Sequence, residues 1–197
     1  KILEIASLNN INVIEDAAHA LPTIYKDKKI GTISDLTCFS FYATKTITTG
    51  EGGMVTTNNP ELAKKIKYQR LHGISGDAWK RYDNNNDNEW YYDIIDLGYK
   101  YNTTDIQSAI GIAQLEKIDW MKTEREKIAK KYIEAFQDRV DFINNDYNQF
   151  NSWHLFVIRV NNRDILYNKL KEHGIHTSVH FIPMHKHSYY KNKYNYK

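Results

Sequence analysis

The sequence has little of several features that mark whole classes of protein. Among its 197 residues Cys38 is the single cysteine, so no intramolecular disulfide can form and a reducing compartment, which we expect to be the cytoplasm, fits. No apolar run approaches the roughly 20 residues that span a bilayer, so we expect no membrane partner. The net charge is only +3 and the lysines are scattered, so we expect no nucleic-acid partner.

Familiar metal-ligand spacings are also missing. HFIPMHKH places three histidines within eight residues, but Pro183 breaks any helical register and no carboxylate joins them. We therefore expect no metal. His180 and His185 could meet an anionic substrate, and solvated loop histidines explain them equally well. The other histidines that invite a metal interpretation are His72, His154, His176 and His187.

The rest of the sequence alternates between strand and helix patterns. We predict strands, from short apolar and β-branched runs, at 11–15, 36–42, 54–57, 153–160 and 175–181. We predict helices, from apolar spacing and end signals, at 60–72, 104–119, 121–137 and 164–174. This alternation predicts an α/β fold.

A boundary between two domains is expected near residue 120, where a strand–loop–strand section gives way to a long helix. Residues 1–120 then form part of one domain, and residues 121–197 form a smaller α/β domain that we expect to be incomplete. The chain starts at Lys1, without Met, in a segment with the pattern of the back half of a helix. We therefore expect it to be part of a longer protein.

Asp16 is a candidate binding residue because it follows the apolar run INVIE. Ligands of open α/β sheets lie beyond the carboxyl ends of the strands. An aspartate at this place can also cap the AAHAL segment that follows, and spacing alone does not decide between the two interpretations. His19 lies three residues further on, hence on the same face of one helical turn. Its ring could stack on a bound ring or hydrogen-bond to backbone.

Lys45 lies 29 residues after Asp16 and five after Ser40, just past an apolar strand and before the turn GEGG. A lysine amine can form a Schiff base with an aldehyde cofactor, and an aspartate can pair with a protonated pyridine nitrogen. The Ser40 hydroxyl and nearby backbone N–H groups could bind a phosphate. This set predicts a pyridoxal 5'-phosphate (PLP) site. The alternative for Lys45 is a surface loop lysine, and GEGG matches neither dinucleotide nor P-loop spacing.

Longer stretches resemble the DegT/StrS family of PLP-dependent nucleotide-sugar aminotransferases. They cover nearly the whole chain in order, and the section from Asp16 to Lys45 is highly specific. They are VIEDAAHA, KIGTISDLTCFSFYATKTITTGEGGMVTTN, RLHGIS, LGYKYNTTDIQSAIGIAQLEKID, WHLFVIRV and GIHTSVHFIPMHKHSYY. The resemblance implies the aspartate-aminotransferase type of fold (PLP fold type I). Residues 1–120 would be the C-terminal part of the large cofactor domain and 121–197 most of the small domain, in a homodimer with shared active sites.

The resemblance also implies a role for each matching residue. Lys45 would be the covalent anchor and the proton carrier, and Asp16 would pair with the pyridine nitrogen. His19, where many members have Gln, would contact the ring. Ser40 would hold the phosphate.

Three further residues match family positions at the edge of the site. Lys100 and Asn102 stand where many members have Asn and Arg that reach the neighbouring subunit's phosphate. The Lys–Asn pair resembles the pair in the 4-amino-arabinose and related nucleotide-sugar branches of the family. A lysine can still bind phosphate as a point charge. His180 matches a position that can approach the substrate.

The implied activity is transfer of an amino group from an amino acid, with glutamate as the expected donor, to a keto carbon of a nucleotide-linked sugar. The product would feed the synthesis of surface polysaccharide, lipopolysaccharide or glycoprotein. The family's N-terminal section carries a phosphate-gripping loop and a stacking aromatic, and it is absent here. We therefore expect the 197-residue chain alone to retain PLP weakly or not at all.

Two alternatives stay open. In PLP sugar dehydratases, an offshoot of the family, a histidine replaces the lysine, so Lys45 argues against them. A regulatory or sensory protein could keep the fold without catalysis. Such a protein has no physical need for Asp16, Ser40 and Lys45 together. An absorbance band that shifts when an amino acid is added would separate binding from transfer.

Overall fold

The computed structural model describes residues 1–75, 92–142 and 151–195. Contacts between Cα atoms divide the chain into two compact units, residues 1–135 with 144–156 and residues 136–143 with 157–197. The expected domain boundary near residue 120 concerns the whole protein and stays a prediction. Within the described ranges, no helix combines the length and the apolar character that a membrane crossing requires.

A three-stranded sheet organises the first unit. Its strands, in spatial order, are β1 (Ile14–Asp16), β4 (Leu36–Ser40) and β5 (Gly53–Thr56). β1 runs parallel to β4, whereas β5 is antiparallel to it. Between β1 and β4 the chain makes a hairpin of β2 (Ile24–Tyr25) and β3 (Lys28–Lys29). The structure confirms the three predicted strands of this section with shifted ends.

The described residues up to Phe136 also form four helices. They are α1 (Ile2–Leu8), α2 (Pro60–Gln69), α3 (Asp105–Leu115) and α4 (Ile118–Phe136). α2 begins at Pro60 as predicted, and the Asn59 side chain accepts hydrogen bonds from two backbone N–H groups of its first turn. α3 begins with the predicted capping box, in which Thr104 and Gln107 each bond to the other's backbone.

The second unit contains a short antiparallel pair and two helices. Its elements are β6 (Asp141–Phe142), β7 (Ile158–Arg159), α5 (Arg163–Glu172), a 3₁₀ turn (Met184–Lys186) and α6 (Ser188–Tyr194). α5 ends shortly before Gly174, whose φ of 72° is the left-handed conformation predicted for a glycine stop.

The predicted strand at 175–181 is wrong. These residues belong to no strand, and the side chain of Phe181 is 74% exposed. Their apolar residues alternate as in a strand, but a strand also needs a neighbour for its backbone hydrogen bonds. No described strand pairs with this segment. Of the predicted strand at 153–160, Ile158–Arg159 forms a strand, which pairs with β6.

Several buried side chains of the first unit lie in the chain segment that follows β4. Among the described residues, Thr46, Ile47 and Thr49 of that segment are all buried. Thr37 in β4 is completely buried at 0% exposure. The part of the loop that follows Lys45 is therefore packed into this unit.

Candidate active site

Asp16 ends β1, and its carboxylate is exposed at the carboxyl end of the strand. Its Oδ1 accepts a hydrogen bond of 3.0 Å from the Ala18 backbone N–H, which is the capping contact that the sequence left open. Oδ2 makes no hydrogen bond within the described part of the chain. One carboxylate oxygen thus orders the turn after β1, while the other can accept a proton donor from a ligand.

The register of the sheet places Asp16 and Ser40 on one face. Asp16 lies beside Cys38 in the parallel pair, and Ser40 follows two residues later on β4. Neighbouring residues of paired strands point to the same face, and so do residues two apart along a strand. With standard strand spacings, the Cα atoms of Asp16 and Ser40 are about 8 Å apart. Gly53 lies beside Ser40 on β5 and adds no side chain there.

The opposite face of the same strands carries a buried polar network. Oε2 of Glu15 accepts hydrogen bonds from the hydroxyls of Ser34, at 2.6 Å, and Thr37, at 3.2 Å. The two hydroxyls are also within 3.0 Å of each other. A hydrogen bond to a charged group contributes about 1.5–3 kcal/mol. From the opposite face of the sheet, this network therefore holds β1 against β4 and fixes the position of Asp16 relative to Ser40.

Lys45 is half-buried in a loop whose two sides are tied together. The carbonyl of Phe41 accepts hydrogen bonds from the Thr49 backbone N–H at 3.0 Å and from the Thr48 hydroxyl at 3.1 Å. The Phe41 N–H in turn donates to the carbonyl of Gly52 at 2.8 Å. Lys45 itself donates its backbone N–H to the carbonyl of Tyr42. Hydrogen bonds that join Phe41 to Thr49 and to Gly52 thus form a frame that begins just after β4 and holds the loop with Lys45.

Helix α3 packs against this loop through two glutamines and a glycine. Gln107 donates from Nε2 to the carbonyl of Glu51 at 2.9 Å, and Oε1 of Gln114 accepts the Thr48 backbone N–H at 3.4 Å. A Cβ atom at Gly111 would lie only 3.2 Å from Cγ2 of Thr49. A side chain at position 111 would therefore press on the lysine loop.

His19 is held by a segment from much later in the chain. The hydroxyl of Ser152, which is 2% exposed, donates to the His19 carbonyl, and the rings of His19 and His154 lie 4.2 Å apart, tilted by 41°. The sequence pointed to His154 only as a possible metal ligand and did not single out Ser152. The available signal was a histidine inside the apolar run WHLF, which is an unusual place for a solvated side chain.

The remaining candidates belong to other parts of the chain. Lys100 and Asn102 are exposed, and Lys100 pairs with Leu71 in an isolated antiparallel bridge. The rings of Tyr99 and Tyr101 stack 5.1 Å apart beside it. His180 belongs to the second unit, is exposed, and has its ring 3.7 Å from that of Phe181. The structure thus brings together Asp16, Ser40 and the Lys45 loop, with His19 on the turn after Asp16.

The chemistry of these groups fits PLP. The free oxygen of Asp16 can accept from a protonated pyridine nitrogen. Oγ of Ser40 accepts the Tyr42 backbone N–H at 3.3 Å, so its own proton remains available for a phosphate oxygen. Lys45 supplies the primary amine that an aldehyde requires. Within the described ranges, no group of three or more histidine, cysteine, aspartate or glutamate side chains is arranged to hold a metal ion.

Comparison with known proteins yields related sequences over the whole chain. Protein MJ1066 of Methanocaldococcus jannaschii is 54% identical over 205 residues, covering 100% of this chain and 53% of the relative. The spore coat polysaccharide biosynthesis protein SpsC of Bacillus subtilis is 46% identical over 207 residues, covering 100% of this chain and 52% of that protein. The chain thus spans about half the length of the curated relatives it matches.

Solved structures share the fold. PseC of Helicobacter pylori, an aminotransferase involved in the biosynthesis of pseudoaminic acid, superposes with a TM-score of 0.86 at 28% identity, covering 98% of this chain and 51% of that one. Spr1654 of Streptococcus pneumoniae, a candidate sugar aminotransferase solved in its PMP form, gives a TM-score of 0.83 at 33% identity, covering 93% and 48%. It is also solved in a PLP form. These likenesses confirm the predicted fold class, PLP fold type I.

A family model, described as the DegT/DnrJ/EryC1/StrS aminotransferase family, matches residues 1–197. The match agrees with the resemblance carried by the section from Asp16 to Lys45. The chain therefore belongs to the DegT/DnrJ/EryC1/StrS aminotransferase family.

Proposed function

We propose that the protein containing this chain is a PLP-dependent aminotransferase. It moves an amino group from an amino acid, with glutamate as the expected donor, to a keto carbon of a nucleotide-linked sugar. The product serves surface polysaccharide or related glycan synthesis. Support comes from the family match and from relatives named for spore coat polysaccharide and pseudoaminic acid biosynthesis.

One observation carries the proposal. Asp16 and Ser40 lie on the same face of the sheet, at the ends of two neighbouring strands, and the tied loop with Lys45 starts directly after Ser40. The carboxylate suits the ring nitrogen of PLP, the hydroxyl suits its phosphate, and the amine suits its reactive aldehyde carbon. The cap interpretation of Asp16 and the surface interpretation of Lys45 each account for one residue only, and they give no role to the shared face of Asp16 and Ser40.

Each residue then has a defined task. PLP, when bound, supplies an aldehyde that accepts amino groups and a ring that takes up electrons. Oδ2 of Asp16 keeps a proton on the ring nitrogen, and Oγ of Ser40 donates to a phosphate oxygen. Nζ of Lys45 would be the covalent anchor for the cofactor and would carry the proton taken from the Cα atom of the amino donor. His19 contacts the ring, with its backbone fixed by Ser152.

Partners and location complete the proposal. The protein acts as a cytoplasmic homodimer in which Lys100 and Asn102 reach the phosphate bound by the neighbouring subunit, and their exposure leaves them available for this. His180 approaches the substrate. Residues 1–120 belong to the large cofactor domain and 121–197 to the small one.

The test is borohydride reduction of the full-length gene product with PLP present, followed by peptide mass mapping. We expect a reduced pyridoxyl adduct on Lys45 and no adduct at this peptide in Lys45→Ala. The variant should also lose turnover with glutamate and a nucleotide-linked keto sugar.

An unmodified Lys45 in a folded protein would contradict the proposal and place the non-catalytic alternative first. A Lys45→Ala variant with wild-type turnover would remove the assignment of Lys45. Adduct formation without amino transfer to any sugar would leave a PLP-binding sensor as the better description.

A further inference from the structure

The carbonyl of Glu51 is a junction in the loop that follows Lys45. It accepts one hydrogen bond from the Thr49 hydroxyl, at 2.6 Å, within the loop. It accepts a second from Nε2 of Gln107, at 2.9 Å, across 56 residues of sequence. A carbonyl oxygen has two lone pairs, so both are used. The contact with Gln107 is therefore the point where helix α3 holds this end of the loop.

Gln107 is itself fixed at its other side-chain atom. Its Oε1 accepts hydrogen bonds of 3.0 Å from both the backbone N–H and the hydroxyl of Thr104. The Thr104 hydroxyl oxygen accepts the Gln107 backbone N–H in return, which completes the capping box. One amide group thus joins the start of α3 to the lysine loop, with its oxygen serving the cap and its nitrogen serving the loop.

We propose that Gln107 is a positioning residue for Lys45. The inference rests on the proposed function of Lys45. Through the Glu51 carbonyl, Gln107 restricts the frame formed by Phe41, Thr49 and Gly52, and so restricts where the lysine amine can lie. Reactions of a held group are faster when its productive geometry is already populated. Without this tie the loop samples more positions, and Lys45 reaches the aldehyde carbon less often.

The capping box allows the two tasks of Gln107 to be separated. Glutamate serves the cap as well as glutamine does, because its carboxylate still accepts from Thr104. In Gln107→Glu the nitrogen donor becomes a carboxylate oxygen facing the Glu51 carbonyl, so attraction turns into repulsion. Gln114→Glu is the matched control on the same helix, because Gln114 uses its oxygen to accept the Thr48 N–H and a carboxylate can do the same.

The experiment mixes the full-length apoprotein with PLP, quenches samples with borohydride over time, and measures the Lys45 adduct by mass spectrometry. Hydrogen exchange of the peptide that covers residues 41–52 is measured in the same variants without PLP. We expect Gln107→Glu to slow adduct formation about tenfold, equivalent to about 1.4 kcal/mol, and to raise exchange in this peptide. Gln114→Glu should form the adduct at a rate within about twofold of that of wild type, because the hydrogen bond from the Thr48 N–H is retained.

Thr104→Ala tests whether the helix cap, as opposed to the contact with Glu51, sets the rate of adduct formation. It removes the hydroxyl but keeps the backbone N–H that anchors Gln107, so the trapping rate should stay close to that of wild type. A rate as slow as that of Gln107→Glu would overturn the inference in favour of capping. Wild-type trapping and exchange in Gln107→Glu would also overturn it. Failure of the wild-type protein to form any adduct would instead contradict the proposed function, and the exchange measurement would still decide whether Gln107 holds the loop.

Discussion

Gly52 provides a sharp test of how tightly the lysine loop is built. Its φ is 153°, and a Cβ atom at this position would lie 2.4 Å from Oγ1 of Thr49. That oxygen carries the hydroxyl that donates to the Glu51 carbonyl. Gly52→Ala therefore cannot be accommodated unless Thr49, which is buried, moves and gives up this hydrogen bond.

The expected cost has two parts. An alanine in a backbone region reserved for glycine costs about 1–3 kcal/mol. Loss of the Thr49 hydrogen bond adds about 1 kcal/mol. The change should therefore lower the free energy of unfolding by about 2–4 kcal/mol. Gly50 is the natural control, because its φ of 79° is also positive but a Cβ atom there would meet nothing within 4 Å.

The assay is urea denaturation of the full-length protein, comparing Gly52→Ala with Gly50→Ala. Gly52→Ala should be the less stable of the two by about 1 kcal/mol or more, since only it displaces the Thr49 hydroxyl. Adding Thr49→Ala should reduce the further cost of Gly52→Ala to that of Gly50→Ala, because the obstructing atom is gone. Equal destabilisation by the two glycine changes would refute the close packing described for this loop.

Two further predictions concern contacts within the first unit between segments that are distant in sequence. Gly73→Ala should lower the free energy of unfolding by at least about 3 kcal/mol, because φ is 71° and a Cβ atom would lie 1.9 Å from the backbone carbonyl of Asp96. An unchanged denaturation midpoint would contradict this close approach. Ser152→Ala should cost about 1–3 kcal/mol by removing the hydrogen bond from the buried Ser152 hydroxyl to the His19 carbonyl. Ser75→Ala, at an exposed serine, should stay within about 0.5 kcal/mol of wild type, and equal effects of the two changes would remove the proposed support of His19.

Local signals predicted the fold well where neighbouring residues decide it. Asn59 with Pro60, and Thr104 with Gln107, marked the starts of α2 and α3 because a helix end is satisfied by side chains within one turn. The segment 175–181 shows the limit of this approach. Alternating apolar residues predict which face of a strand would be buried, but they do not supply the partner strand that its backbone requires.

In the candidate site, too, neighbouring residues decide some features and contacts between distant segments decide others. Asp16 and Lys45 each follow a predicted strand, Ser40 lies within one, and their spacing suits one chemistry. The register of β1 with β4 brings Asp16 and Ser40 onto one face. Their roles in binding and catalysis stay predictions. The sequence did not single out Ser152 because its partner, the His19 carbonyl, lies 133 residues away.

By itself the sequence determined the type of groups available to the site, the alternation of strands and helices, and the caps at which helices begin, because all of these depend on residues close together in the chain. Only the tertiary structure decided that Nε2 of Gln107, whose side-chain oxygen serves the predicted cap, holds the Glu51 carbonyl. It also decided that Glu15 secures β1 from behind Asp16 through Ser34 and Thr37. Such contacts join segments that are distant in sequence, and their geometry exists only once the strands and helices have packed.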